Sequence, residues 1–246
     1  MLCKLNKYGE LNNYDVLKIF AFMLMVIDHI GFFFLPEVAV LRAIGRVSFP
    51  IYAILHGVTT KNNAEHKTNY LLLFLGLLIN LIFFLLFGQW IALDILVMFF
   101  LFDFIFIKVP KVDYKVISML FILTAINYYF YATLNNYMEY GLFVLLFMMV
   151  GKIFYKVGMN MIENIFSLCV FVTYFLTQVS AFGFDGTCSI ISGIGLTILF
   201  FSVYNFKFRE YHNIKSNKFL LFISRYSLEL YFGHYVLFMF AYRLLF

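Results

Sequence analysis

"MLMVIDHIGFFF", Met23–Phe34, sets an aspartate beside a histidine, Asp28 and His29, in a run otherwise built of Met, Leu, Val, Ile, Gly and Phe. Inside a bilayer both polar groups are costly, and ionisable side chains at such depth mark function by default. Composition says that the bilayer is the right solvent. Of 246 residues, 64% are hydrophobic, 22% aromatic and 13% charged. A soluble domain averages about 45–50% apolar and about 25% charged residues. Mean hydropathy is +0.92. These values predict an all-α polytopic membrane protein, one membrane domain over residues 1–246, with no separate soluble domain.

Around Met23–Phe34 the chain divides into apolar runs long enough for spans, each needing about 20 residues. Nine are expected, at Val16–Leu35, Val38–Val58, Asn69–Phe87, Trp90–Ile107, Lys115–Thr133, Tyr137–Phe154, Asn164–Ala181, Gly186–Tyr204 and Phe222–Leu245. Basic residues fall in alternate loops. Lys4 and Lys7 precede the first span; Lys61 and Lys67 follow the second; Lys108 and Lys111 the fourth; Lys152 and Lys156 the sixth; Lys207, Arg209, Lys215 and Lys218 the eighth. The opposite side carries Glu37, Glu139, Asp185 and Arg243. Cytoplasmic loops collect Lys and Arg, so the pattern predicts a cytosolic N-terminus and an external C-terminus. The net charge of +5 therefore reads as a topology signal and not as a nucleic-acid surface. Cys3, Cys169 and Cys188 lack metal-ligand spacing, and no metal is expected. The fifteen polar N-terminal residues and the missing A-x-A site argue against a cleaved signal peptide. No internal repeat is visible.

The spans bring polar residues to common depths and faces. His29 lies about 20 Å into a core about 30 Å thick. The second span returns from outside with "RAIGR", placing Arg42 and Arg46 at similar depth. Lys18 and His29 share a face within about 20°, with Lys18 at the cytosolic end. Arg42, Arg46 and His56 fall within about 80° of one another, which suggests two polar stripes leading from the cytosol to His29. In the last span, "SRYSLELYFGHY" aligns Ser227, Tyr231 and His234 on one face and places Arg225 and Glu229 as an i, i+4 pair on another. Asp103 is expected to meet Lys108. Each group also has a bland reading: Asp28 with Arg42 or Arg46 as a structural ion pair, His56 as a structural or interface residue, Lys18 as a snorkelling helix anchor.

The stretch "DVLKIFAFMLMVIDHIGFFFLPEVAVLRAIGRVSFPIYAIL" resembles the opening of the TraX family, named for the protein that acetylates F pilin. The D-x-x-K start, M-x-x-D-H-I-G centre and L-R-x-I-G-R-x-x-F-P-I carry the resemblance. The segment "SRYSLELYFGHYVLF" is similar to the family's closing Tyr-and-His segment. Lys18, ten residues, then His29 is similar to the Arg-x10-His of a wider group of membrane acyltransferases, with Lys in place of Arg. The resemblance implies transfer of an acyl group, acetyl by the TraX precedent, from cytosolic acyl-CoA to a pilin-like protein, a glycan or a lipid. "HGVTTKNN" departs from the family's acidic E-G at the position of His56. Under this reading His29 takes the acceptor's proton, Asp28, Arg42 and Arg46 manage charge, and Lys18, Lys61 and His56 lie toward the CoA. Ser227, Tyr231 and His234 form a second candidate set. The rival classes are a small transporter or channel using the same charges as a relay, and a non-catalytic conjugation or secretion accessory protein.

Overall fold

Asn12 starts the first helix. Its side chain accepts from the Asp15 amide at 2.7 Å, and Asp15 answers by accepting the Asn12 amide at 3.2 Å. This reciprocal cap satisfies two of the donors that a helix N-terminus leaves open. The computed structural model describes residues 10–59, 69–107, 112–155, 159–204, 211–215 and 218–246. Its elements run β1 (Glu10–Asn12), α1 (Asn13–Phe33), α2 (Ala39–Gly45), α3 (Ser48–Thr59), α4 (Tyr70–Phe87), α5 (Ile95–Ile107), α6 (Tyr114–Asn135), α7 (Phe143–Phe154), α8 (Met161–Phe182), α9 (Gly186–Tyr204), β2 (Tyr211–Lys215), α10 (Lys218–Arg225) and α11 (Ser227–Leu245). Among the described residues the fold is all-α apart from the antiparallel β1–β2 pair and an isolated bridge between Leu93 and Met138.

Among the described residues five helices, α1, α4, α6, α8 and α9, are long and apolar enough to cross a membrane, with α5 and α7 as shorter apolar helices. This is a multi-pass membrane protein. The remaining two apolar runs are not continuous helices. The run Val38–Val58 is broken at Arg46 and Val47, between α2 and α3. Pro50 supplies the reason: it has no amide to donate, and its ring clashes with the carbonyl four residues back, that of Arg46. The last run breaks at Tyr226, between α10 and α11, with neither Gly nor Pro to mark the place.

The chain separates into two compact units. One comprises residues up to Leu55 together with Gly186–Phe246. In it α1 packs on α2, α10 and α11, and α9 packs on α2. The α1–α2 approach depends on glycine: a methyl group on Gly45 would overlap Asp28, and one on Gly31 would lie 2.9 Å from Leu41 Cβ.

The second unit, His56–Asp185, is organised on α7, where every residue from Phe143 to Gly151 is buried. Around it lie α5, α6 and α8, while α4 packs on α5. Phe143, Phe147, Phe166 and Tyr174 fill its core. Its buried polar groups hold loops. Asn80 donates to the Ala92 carbonyl at 2.9 Å and accepts the Asp94 amide at 3.1 Å. Asp94 and Glu139 accept the Leu96 and Ile95 amides at the start of α5. Asn127 accepts the Leu142 amide, beside Gly141 at φ +55°. Apolar side chains such as Leu85, Tyr129 and Met161 cover the outside, as a lipid solvent requires.

Lys4, Lys7, Lys61, Lys67, Lys108, Lys111, Lys156, Lys207 and Arg209, which carry much of the expected loop charge, lie outside the described residues.

Candidate functional site

Asp28 faces α2. Its Oδ2 accepts from Arg42 Nη1 at 2.9 Å, the same nitrogen donates to the Asp28 carbonyl at 3.1 Å, and Arg46 Nε stands 3.6 Å from Oδ1. The three side chains are nearly excluded from contact with the surroundings and together carry one net positive charge. Arg42 lies in the last turn of α2 and Arg46 caps that helix one turn on, so the two share a face toward one carboxylate.

His29 is the next residue but points elsewhere, because neighbours in a helix sit about 100° apart. Its Nδ1 lies 2.7 Å from Nε2 of His234 on α11, and His234 Nδ1 donates to the Leu230 carbonyl at 2.8 Å. Aromatic rings surround the pair. Tyr235 and Tyr231 lie 4.7 and 6.0 Å from His29 by ring centroids; Phe22 and Phe238 meet His234 edge-on at 5.7 and 5.6 Å.

Asp15 and Lys18 mark the other end of α1. Ser224 Oγ donates to Asp15 Oδ1 at 2.6 Å, and Lys18 Nζ lies 3.5 Å from the Ser224 carbonyl and 5.0 Å from the Tyr14 ring centre. Ser224 is in the last turn of α10, where a helix leaves its carbonyls without partners of its own.

Of the residues singled out in the sequence, Asp28, Arg42 and Arg46 meet in one cluster and His29, His234 and Tyr231 in another. Ser227 opens α11 and, among the described residues, bonds to neither cluster. His56 opens the second unit, where its Nε2 bonds Asp103 Oδ1 at 2.8 Å under the Phe99 ring. Asp103 therefore has a histidine partner; Lys108, its expected partner, lies outside the described residues. Arg225 and Glu229 form no ion pair, because the Tyr226 break removes their helical spacing. Lys61 is outside the described residues. Tyr235 and Asp15 were missed as site residues. Tyr235 follows Tyr231 by one turn and could have been found from that spacing. Among the described residues no three His, Cys, Asp or Glu side chains gather as a metal site.

The TraX protein family profile matches residues 13–230, most of the chain, and includes Asp15, Lys18, Asp28, His29, Arg42 and Arg46, with Tyr231, His234 and Tyr235 just beyond its end. The chain belongs to the TraX family. A second comparison finds this TraX-family chain 30% identical over 89 residues to an uncharacterized protein of Rickettsia prowazekii (strain Madrid E), covering 36% of the chain and 34% of that relative. The match thus spans about a third of the relative's length. No solved structure matches the chain.

Proposed function

We propose that this TraX-family protein is an acyltransferase of the cytoplasmic membrane, moving an acetyl group from cytosolic acyl-CoA to an amine or hydroxyl on a pilin-like protein, a glycan or a lipid. The observation that carries the reading is that α1 sets a part-buried imidazole pair, His29 with His234 of α11, beside a nearly buried cluster with net positive charge. Acyl transfer needs both parts: a base for the acceptor's proton, and positive groups for the oxyanion that forms at the thioester carbonyl. His29 supplies the base. Arg42 and Arg46 supply the positive field, with Asp28 fixing their geometry. Lys18, at the cytosolic end of α1, supplies a charge near the entry of the CoA phosphates.

The proposed topology has nine spans and a cytosolic N-terminus. Three pairings support it. β1 with β2, and Asp15 with Ser224, each join segments separated by eight of the proposed spans. Leu93 bridges Met138 across two. All three counts are even, as they must be for segments on one side of a membrane.

The test is release of CoA from acetyl-CoA by detergent-solubilised protein given membrane extract as acceptor source. The wild type should release CoA and transfer label to the extract. His29→Ala should insert at normal abundance and lose transfer by about 10²–10⁴-fold, the usual contribution of a general base. Equal turnover in His29→Ala would remove it from the reaction.

A further inference from the structure

The His29–His234 contact has a direction. The rings are tilted by 23° and their centroids are 4.9 Å apart, with the facing nitrogens at 2.7 Å. A nitrogen separation this short leaves room for little more than one ring radius on each side, so the bond lies near the plane of both rings rather than across stacked faces. A backbone carbonyl can only accept, so the Leu230 oxygen requires the proton of His234 to be on Nδ1. Neutral His234 then presents a lone pair at Nε2. The one proton between the rings must come from His29 Nδ1, and His29 keeps its own lone pair at Nε2.

We infer that His29 and His234 form a one-way proton relay: Leu230 sets the tautomer of His234, His234 sets that of His29, and His29 Nε2 is left as the working base. The use of the relay rests on the acyl-transfer reading; its wiring does not. As the acceptor's O or N attacks the thioester carbon, its proton passes to His29 Nε2. The Nδ1 proton of His29 passes to His234 Nε2, and the cation formed stays hydrogen-bonded to Leu230. Collapse of the tetrahedral species breaks the C–S bond. The CoA thiolate takes the Nε2 proton of His29, and His234 returns its proton to His29 Nδ1. Both rings end neutral, with acyl-acceptor and CoA thiol as products. His234 is a positioning residue: it acts through His29. Its position one turn past Leu230 on a regular helix makes the carbonyl bond available, and the Phe22 and Phe238 edges hold the ring in place.

Nitrogen NMR of protein labelled at its histidines, in nanodiscs and without any acyl donor, reads the wiring directly. The expected spectrum has His29 protonated at Nδ1 and bare at Nε2, with scalar coupling across the bond to His234 Nε2. A proton on His29 Nε2 in the resting protein overturns the inference. Transfer assays then read its use. In His234→Gln the amide oxygen can accept the Nδ1–H bond but cannot take the proton, so kcat should fall about 10²-fold with the KM for acetyl-CoA unchanged. In His234→Glu a carboxylate can take the proton, and most of the rate should return. Wild-type turnover in the Gln variant overturns the relay, and so does equal loss in both variants at matched abundance. The expected spectrum from a wild type that transfers nothing upholds the wiring and refutes the acyltransferase reading instead.

Discussion

Around α7 a buried polar side chain most often ends on backbone, Asn80 on Ala92 and Asp94, Asn127 on Leu142 and Asp94 on Leu96, with Gln178 on the Tyr131 hydroxyl as an exception. Around α1 it ends on another side chain: Asp28 on Arg42 and Arg46, His29 on His234, Asp15 on Ser224. Both patterns satisfy the rule that buried polar groups find partners. They differ in what they leave over. A carboxamide such as Asn80 or Asn127 bonded to backbone has fixed a loop and has no proton to exchange. A carboxylate held by two guanidinium groups, or an imidazole held by another imidazole, retains charge or a movable proton. His56–Asp103, at the first residue of the α7 unit, joins two side chains as the α1 pairs do.

The comparison breaks most visibly at Asp28. Asp28→Ala leaves two buried guanidinium groups facing one another and should cost about 3–5 kcal/mol, read as lost abundance and a lower unfolding temperature in detergent. Replacing Asp28, Arg42 and Arg46 together by apolar residues of similar volume should restore abundance and leave transfer abolished. If the triple variant also transfers acetyl groups, the cluster is scaffold, and the contrast between the units disappears.

Gly45 comes next. An added methyl group meets Asp28 itself, so Gly45→Ala should push α2 from α1 and cost up to about 3 kcal/mol. Transfer should fall further than stability explains, because the displaced helix carries both arginines. A variant whose turnover per folded molecule is unchanged would show that the α1–α2 distance does not matter to the reaction.

Asn80→Ala sharpens the other half. It strands the Ala92 carbonyl and the Asp94 amide and should lower stability by about 1–3 kcal/mol. Turnover per folded molecule should not change; a specific drop in kcat would give the α7 unit a chemical role.

Lys18→Gln should have the smallest effect. If the amine meets CoA phosphate as a point charge, KM for acetyl-CoA rises several-fold, about 1 kcal/mol or less, with kcat nearly kept. An unchanged KM assigns Lys18 to the Ser224 carbonyl and the end of α10 alone.

Much of this was legible in the sequence, for physical reasons. Apolar runs bounded by Lys and Arg can only be helices in a bilayer, and the chain is helical through nearly all of them. Arg42 and Asp28 were legible as partners because a short turn at Leu35–Pro36 brings two helices back to equal depth. Pro50 announced the α2–α3 break, but hydropathy counts Val38–Val58 as one run, and only the clash with the Arg46 carbonyl reveals two helices. The break at Tyr226 has no such mark. His29 and His234 were each visible as intramembrane histidines, but their bond was not. Helical phase gives the face of a residue, never its neighbour from a helix 205 positions away. For the same reason the bond between His56 and Asp103 could not be read from helical phase. The β1–β2 pair joins two polar segments with no hydrophobic pattern to give it away.

The α1 unit is discontinuous in the chain, and the α7 unit is the insert. During synthesis α1 is the first helix made, while His234 follows His29 by 205 residues. At about 5–20 residues per second, His29 waits about 10–40 s for its partner. Asp15 waits for Ser224 over almost the same interval. Asp28 does not wait, because Arg42 arrives fourteen residues later and can neutralise it as the pair enters the membrane. The order of emergence thus covers the charged group at once and leaves a neutral imidazole for last. A ribosome that stops before α10 releases a chain with its arginines already matched, its α7 core complete in sequence, and no base pair of histidines to act.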